Sequence, residues 1–424
     1  MLSATSADIQ ALPSHSMTDQ RGIYSFFAVE ITATVLFQKI IVPGSGGVVI
    51  SLPILYAGLF YLAAFHGLRL NPVRLALYSA FALAAMLSQS IVSAAISAPS
   101  LILLYVLYLP FVFDYEVTWE TYKKCMNWFL NLMVLACITV IIQDIWQFLF
   151  DWKSFPNLDQ LLSGEFLLPG FVYIQPLFWG SPYIKPNGFF FLEVSLVSQH
   201  AALATIIELI FFQRIWRLCL YATVLLACFA GTGLLMIAVI SPFMLQRLSP
   251  RLGTTILLGG LLVFGVALAA GWYDQISQRF SEVDDSKSST YLRFIEPFDE
   301  LVTTIGQGNA LLTGNGAGNI PKSTFGAPWA ITKLTSEYGM LTALLFIIFF
   351  INSLFEKAPS WRFALLLFFT FNFMGGYLHG ATLVSLCFLL GVLLRPVGAE
   401  PQIHKSRRAP LARSGQDGTI SSVT

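Results

Sequence analysis

Apolar residues in this chain come in long blocks, and polar residues are largely confined to the breaks between them. Most blocks run about 18 to 22 residues, the length a helix needs to cross a hydrocarbon core of ~30 Å. In lipid, each backbone N–H and C=O must be satisfied within its own segment, so such blocks fold as a bundle of helices. The pattern predicts about twelve spans. They cover 23–42, 48–66, 74–92, 95–113, 127–149, 189–211, 217–230, 232–246, 254–273, 338–355, 361–378 and 380–395. The pair 217–230 and 232–246 also reads as one long helix broken at Gly231-Thr232-Gly233. The pair 74–92 and 95–113 meets in a very short turn at Ser93-Ala94-Ala95. The expected fold class is an all-α polytopic membrane protein with two long loops, 151–188 and 274–337.

Outside the membrane domain, 23–396, lie two polar tails, 1–22 and 397–424, both expected to be disordered and cytoplasmic. The first tail has no basic segment before a short apolar core, so it does not read as a cleaved signal peptide. Composition agrees with a membrane class: 56% of residues are hydrophobic and 11% charged, against roughly 25% charged in soluble domains. A net charge of +1 gives no reason to expect a nucleic-acid partner. The five cysteines, Cys125, Cys137, Cys219, Cys228 and Cys387, lie in or beside apolar blocks with no C-x-x-C pair. They read as packing residues, with no disulfide framework and no metal site.

Lysine and arginine set the orientation. Arg69 and Arg74, Lys123 and Lys124, Arg214 and Arg217, Arg247 and Arg251, and Lys357 and Arg362 fall in alternate short loops. Arg395, Lys405, Arg407, Arg408 and Arg413 extend the series into the C-terminal tail. The short loops of the opposite side hold only Lys39. The basic side is expected to be cytoplasmic, with both termini inside and both long loops outside. In a Gram-negative cell that places the loops in the periplasm and the chain in the inner membrane. The first long loop is rich in Pro, Gly and aromatics, which suit the headgroup interface and also stack on sugar faces.

An ionisable side chain at mid-bilayer costs ~2.5–3.5 kcal/mol, so each one needs a reason. Glu30, Asp144, Glu193, His200, Glu208, Glu337 and His379 lie within or at the ends of spans. Asp144, Glu193, Glu337 and His379 belong to the outer half, where Lys185, Arg279, Arg293 and Lys333 flank the same surface. Glu193 and His200, seven residues apart, share a helix face. Glu208, near the cytoplasmic end, reads as solvated. Singly, such residues also serve as polar contacts between helices; as a set under a long basic loop they read as a site. The run Gly306 to Asn319 does not meet the context of a nucleotide-binding loop, because no βαβ unit surrounds it. Its expected use is a tight turn whose exposed N–H groups approach an anion or a sugar.

Four ordered motifs then resemble one family. Lys185-Pro-Asn-Gly188-Phe-Phe-Phe-Leu-Glu193 resembles the helix opening of the Wzy polymerase and O-antigen ligase superfamily. Ala230-Gly-Thr-Gly-Leu-Leu235 is similar to its Thr-Gly-Leu-Leu turn. Tyr291-Leu-Arg293, followed by Leu311-Leu-Thr-Gly314-Asn-Gly316-Ala-Gly318-Asn319, resembles its arginine helix and Gly-rich loop. Ser336-Glu337-Tyr-Gly339 resembles its Glu-x-Gly signature. Gly231 stands where the family often carries Arg, and no His lies between Pro321 and Glu337. Those departures favour the polymerase branch over the ligases, with most likeness to exopolysaccharide polymerases of the xanthan and acetan type.

The resemblance implies transfer of a growing glycan from undecaprenyl diphosphate onto the next lipid-linked repeat unit, at the periplasmic face. It needs no cofactor. A chain-length co-polymerase and a flippase are the implied protein partners, besides membrane lipid. An always-charged, planar arginine suits the diphosphate leaving group. Arg293 is the first choice, with Arg279 and Lys185 second; the alternative for Arg293 is an ion pair with Glu296 or Asp299. The acceptor hydroxyl needs a base, with candidates Glu193, Glu337, Asp299 and His379, Glu193 narrowly first. Asp299, Gly314, Gly316, Gly318 and Asn319 are the further candidate substrate contacts. The sequence has no Asp-x-Asp, which fits a metal-independent reaction. Two other readings are kept: a lipid-linked oligosaccharide flippase or polysaccharide transporter, and an O-antigen-type ligase. A transporter is expected to show internal repeats and a mid-membrane site, and no repeat is visible.

The orientation has a direct check. A cysteine introduced at Ser288 is expected to react with an impermeant maleimide added outside intact cells. Labelling only after permeabilisation would reverse the topology.

Overall fold

The computed structural model describes residues 17–92, 96–171, 174–177, 181–228, 230–244, 253–254, 265, 289–306, 308, 310–320, 328–375 and 378–398. All but two residues of the expected span 254–273, Arg279, Ser288 and nearly all of both tails lie outside the described residues.

The described chain is mostly helical. Its helices are α1 Met17–Leu36, α2 Ser51–Phe65, α3 Pro72–Ile91, α4 Ala98–Tyr108 and α5 Trp119–Leu149. After the first long loop come α6 Val194–Phe211, α7 Ile215–Ala227 and α8 Gly231–Met244. The second long loop supplies α9 Ser289–Phe294 and α10 Glu296–Gly306. It leads to α11 Ala330–Tyr338, α12 Met340–Phe355, α13 Trp361–Phe373 and α14 Ala381–Cys387. The last continues as a π-helical stretch, Phe388–Leu393.

Among the described residues three helices, α3, α5 and α6, are long and apolar enough to cross a membrane; the other apolar helices there have 10–17 residues. In α3 only 28% of the apolar window is buried, whereas in α6 it is 83%. So α3 turns most of its surface outward, and α6 is enclosed by its neighbours. Its packing partners are α7, α8 and α5. Against the sequence expectation, α5 begins at Trp119 rather than 127, because Thr118 caps it by accepting from Thr121 N–H. The expected helix at 189 starts only at Val194, since 188–193 forms turns. The two segments 217–230 and 232–246 are separate helices, α7 and α8, but the interruption falls between Ala227 and Gly231, so Gly231-Thr232-Gly233 opens α8 and is not the break itself.

Two sequence devices set the packing. On α3 and α12 an aromatic ladder forms: Phe81 lies edge-on to Phe346 and stacked with Phe349. Tyr108, Phe111 and Phe371 extend it. On α8, Gly233 sits so close to α6 that a Cβ would overlap the Ser198 carbonyl oxygen. Gly233 N–H donates to Ser198 Oγ at 3.0 Å, and the Thr232 and Ser198 hydroxyls are 3.1 Å apart. The Gly-Thr-Gly motif therefore brings one helix start against the flank of another, as small residues do between membrane helices.

The all-α expectation misses a three-stranded sheet. β1 Arg69–Leu70 pairs antiparallel with β2 Phe113–Thr118, Arg69 opposite Asp114. β2 pairs in parallel with β3 Leu394–Val397, Glu116 opposite Arg395. The loop arginines that set the expected orientation are tied down here. Arg69 pairs with Glu116 at 2.6 Å, and Arg74 Nε with Glu356 at 3.0 Å. Asn71 caps α3 by accepting from Val73 and Arg74 N–H and donates to Glu356 at 2.9 Å. Arg395 donates to the Ser353 carbonyl at 2.6 Å. Glu208 is not solvated: it is 0% exposed. Arg214 grips its two oxygens at 2.8 Å each and donates to Asn127 at 2.6 Å. Arg69 and Arg74 are thus tied to β2, Arg395 to the end of α12, and Arg214 and Arg217 to Asn127 and Asn131 of α5.

Gly233→Val should cost about 1–3 kcal/mol through overpacking, read as a lower thermal midpoint in detergent. Gly231→Val is the matched control, since nothing lies within 4 Å of a Cβ there. Equal midpoints for the two variants would remove the close-contact explanation.

Candidate functional site

The site is assembled where the two long loops meet. Its floor is the segment leading into α6. Gln143 and Gln147, a turn apart on α5, hold that segment by its backbone. Gly188 N–H donates to Gln143 Oε1 at 2.6 Å, and Ile184 N–H donates to Gln147 Oε1 at 2.9 Å. Asp144 orients Gln147 by accepting from its amide at 2.7 Å. Gly188 has φ +62 and faces Val140, so the turn and the contact both suit glycine. Lys185 is half-buried between these anchors.

Glu193 stands at the start of α6 in extended backbone, with φ −142 and ψ 157, and its side chain does not cap the helix. Its carboxylate is aimed outward instead. Oε2 accepts from Ser195 Oγ at 3.0 Å and lies 3.5 Å from Arg293 Nη2. Glu193 and Arg293 side chains remain 19% and 24% exposed, so the pair is reachable from solvent. Arg293 is thus paired across the two loops, not with Glu296 or Asp299. Asp299 accepts from the Tyr291 hydroxyl at 3.2 Å.

The Arg293 backbone is held too. Trp329 Nε1–H donates to its carbonyl at 2.8 Å, and the indole lies edge-on to Phe373. Trp329 opens α11, and Lys333 follows one turn later. Lys333 Nζ lies 3.7 Å from Glu337 Oε1. α11 is fastened to α10 by Thr332 donating to the Pro297 carbonyl at 3.1 Å and by the 2.8 Å contact of Ser336 with Thr304. Lys333 was legible as a flanking cation. The bond from Trp329, one turn before it, to the Arg293 carbonyl was not, because it joins residues 36 apart in sequence.

The Gly-rich loop behaves differently from the expectation. Its N–H groups are engaged within the protein. Asn315 N–H donates to the Ser336 carbonyl at 2.7 Å, Gly316 N–H to that of Glu337 at 3.1 Å, and Asn319 N–H to that of Gly316 at 3.1 Å. Ala317 N–H donates to Gln89 Oε1 at 2.7 Å. The Glu337 carboxylate accepts from Gly318 and Ile320 N–H. The glycines are needed for approach. Gly314, Gly316 and Gly318 all have positive φ, and a Cβ on Gly314 would collide with the Glu337–Tyr338 backbone. Gly314, Gly316, Gly318 and Asn319 therefore form a docking surface for α11 and α4, and their N–H groups are not an open anion nest. Glu337 is 1% exposed, and burial raises its carboxyl pKa against the pull of Lys333 and the two N–H donors. It acts first as the anchor of the loop.

His379 lies in the turn after α13. Its ring bonds to the Ser100 backbone, and among the described residues Nε2 has no hydrogen-bond partner. Burial, with Lys333 nearby, pushes its pKa down to about 3. A neutral imidazole whose Nδ1–H is held by a carbonyl presents a lone pair at Nε2. Of the candidate bases, Glu193 is engaged by Arg293 and Ser195, and Glu337 by the loop; His379 keeps a free acceptor nitrogen. Arg279 lies outside the described residues. Among the described residues no group of three or more His, Cys, Asp or Glu gathers as a metal site.

No protein-family model matches the chain, and no curated protein matches it significantly.

The pH behaviour of His379 follows from its burial. An unfolded histidine takes a proton near pH 6.5, whereas the folded one resists until about 3. Between these values the unfolded chain binds the extra proton, so stability falls as pH falls. His379→Gln should flatten the decline of the thermal midpoint between about pH 6.5 and 4.5. An unchanged slope would rule out the buried neutral form.

Proposed function

We propose that the chain is a membrane-embedded glycosyltransferase of the polysaccharide-polymerase type, working at the outer face of a bacterial inner membrane with both termini cytoplasmic. The observation that carries this reading is the solvent-reachable Arg293–Glu193 pair, which joins the start of α6 to the second long loop. Lys333, on the helix opened by Trp329, adds a second cation beside the same loop. The gathering of basic loop residues around β2, at the opposite end of the helices, supports the orientation.

In this reading the donor is a glycan on undecaprenyl diphosphate and the acceptor is a hydroxyl of the next lipid-linked unit. The acceptor oxygen bonds to the anomeric carbon as the carbon–oxygen bond to diphosphate breaks. Arg293 neutralises the charge that grows on the diphosphate, and Lys333 assists. An interaction that strengthens in the transition state speeds the chemical step. The proton of the acceptor hydroxyl passes to Glu193, the carboxylate that solvent reaches; His379, buried and with its pKa pushed down to about 3, is too weak a base. Glu193 holds the Arg293 fork in place and is itself held by Ser195. The Gly-rich loop fixes α11, and through it Lys333.

Purified protein in liposomes, given only undecaprenyl-diphosphate-linked repeat units with EDTA present, should yield a ladder of multiples on a gel. Arg293→Ala should reduce the ladder by about 100-fold or more while the protein stays in the membrane. Lipid-linked units crossing the bilayer with no ladder would replace this reading with transport.

A further inference from the structure

One buried polar stripe takes no part in the site above. Glu30, Thr34 and Gln38 recur at every fourth position through the second half of α1 and just beyond its end. They are 0%, 0% and 1% exposed in an otherwise apolar interior. Thr34 Oγ1 donates to Glu30 Oε1 at 3.2 Å. Gln38 Nε2–H reaches Nε2 of His200, also 0% exposed, at 3.4 Å. The His200 Nδ1–H donates to the Leu196 carbonyl at 2.8 Å. Next along the chain, Lys39 is itself 0% exposed and lies 3.9 Å from Asp159, whose 17% exposed side chain marks the end of the stripe nearest the solvent.

Two atoms on this stripe are left over. Among the described residues, Glu30 Oε2 and Gln38 Oε1 have no hydrogen-bond partner. Buried polar atoms are almost always bonded to protein or to water. No described cation pairs with Glu30. On α5, which packs against α1, the charged residues are Glu120, Lys123, Lys124 and Asp144, and none of them bridges to it. α2 and α14 carry no charged side chain, and on β2 Asp114 and Glu116 are taken by Arg74 and Arg69. An unpaired carboxylate in such a place is costly enough to take up a proton instead. A protonated carboxyl then needs an acceptor for its O–H, and the Gln38 oxygen two turns away needs a donor. Water between them answers both demands.

We infer that the Glu30–Thr34–Gln38–His200 stripe is a water-filled half-channel through which a protonated Glu30 exchanges its proton with the outer aqueous phase. The ligand is the proton. The lysine at the mouth disfavours metal cations, and a chain of hydroxyl, amide and imidazole groups with water passes protons by exchange. The half-channel is separate from the Arg293 site and does not depend on glycosyl transfer. Its sidedness alone rests on the proposed orientation.

The test is infrared spectroscopy of the reconstituted full chain. The wild-type minus Glu30→Gln difference spectrum should contain the C=O stretch of a protonated carboxylic acid, and that band should shift within minutes of transfer to D2O. Absence of the band would show that Glu30 is not protonated, and a band that does not shift would show that no water reaches it; either overturns the proposal. Cysteine accessibility covers the case in which Glu30→Gln does not fold. In a Cys219→Ser background, Thr34→Cys should react with a small cationic thiosulfonate from the outer side at least about tenfold faster than Val35→Cys, at a neighbouring buried position. Equal rates would likewise reject the channel. Faster reaction from the inner side would keep water access but reverse the sidedness.

Discussion

The close approach of the Gly314–Ile320 loop to the α11–α12 junction is the contact on which the face carrying Arg293 and Lys333 depends. Gly339, with φ +83, separates the two helices, and a Cβ there would overlap the Leu312 carbonyl oxygen. A side chain at Gly314 or Gly339 would push the loop away. Gln89 then bridges the interface, donating to the Glu337 carbonyl at 3.1 Å and accepting from Ala317 N–H. The Ala317 carbonyl accepts from Ser97 N–H at 2.8 Å. One short loop thus ties α3, α4, α11 and α12 by backbone contacts that no bulkier residue permits. These bonds are buried, so leaving any of them unmade costs the full desolvation of a polar group.

That constraint explains why cations and acids converge on a surface where each long side chain could otherwise turn to water. α11 is only nine residues long, too short to be stable alone. Its position is set by the glycine loop on one side and by α10 on the other. Trp329 and Lys333 inherit that position, and Arg293 is fixed through Trp329. Trp329 holds the backbone of Arg293, and the ion pair with Glu193 holds its side chain; groups ordered in advance lower the entropic cost of binding.

Much of this was legible in the sequence, and the limits have physical reasons. Block length revealed a mostly helical chain, although among the described residues only α3, α5 and α6 reach the length that bilayer thickness asks of a span. It did not reveal the sheet: β1 has two residues and β3 four, too few to impose an alternating pattern. The unusual polar residues were identifiable one by one, but their partners were not. Glu208 looked solvated because Arg214, its partner, counts equally well as a loop charge. Glycine spacing marked the 314–318 loop as special, yet periodicity cannot tell a backbone that reaches a ligand from one that reaches another helix. Only the positions of Ser336, Glu337 and Gln89 decide that.

α6 shows how a bundle interior separates structural polarity from chemical polarity. Ser198 serves packing, since its hydroxyl is consumed by Thr232 and Gly233. Glu208 is neutralised by two bonds from one guanidinium. Residues satisfied in this way stabilise the fold and have little capacity left for reaction. Glu193 is satisfied by Ser195 and by Arg293, an arginine that solvent still reaches, and an anion with more charge than a carboxylate can compete for Arg293. His200 uses one nitrogen on its own helix and the other on Gln38, a side chain with an unmet oxygen. The incomplete members of the set, Glu193 with Arg293 at the surface and His200 with Gln38 and Glu30 inside, are where this helix has free energy to exchange with something outside the chain.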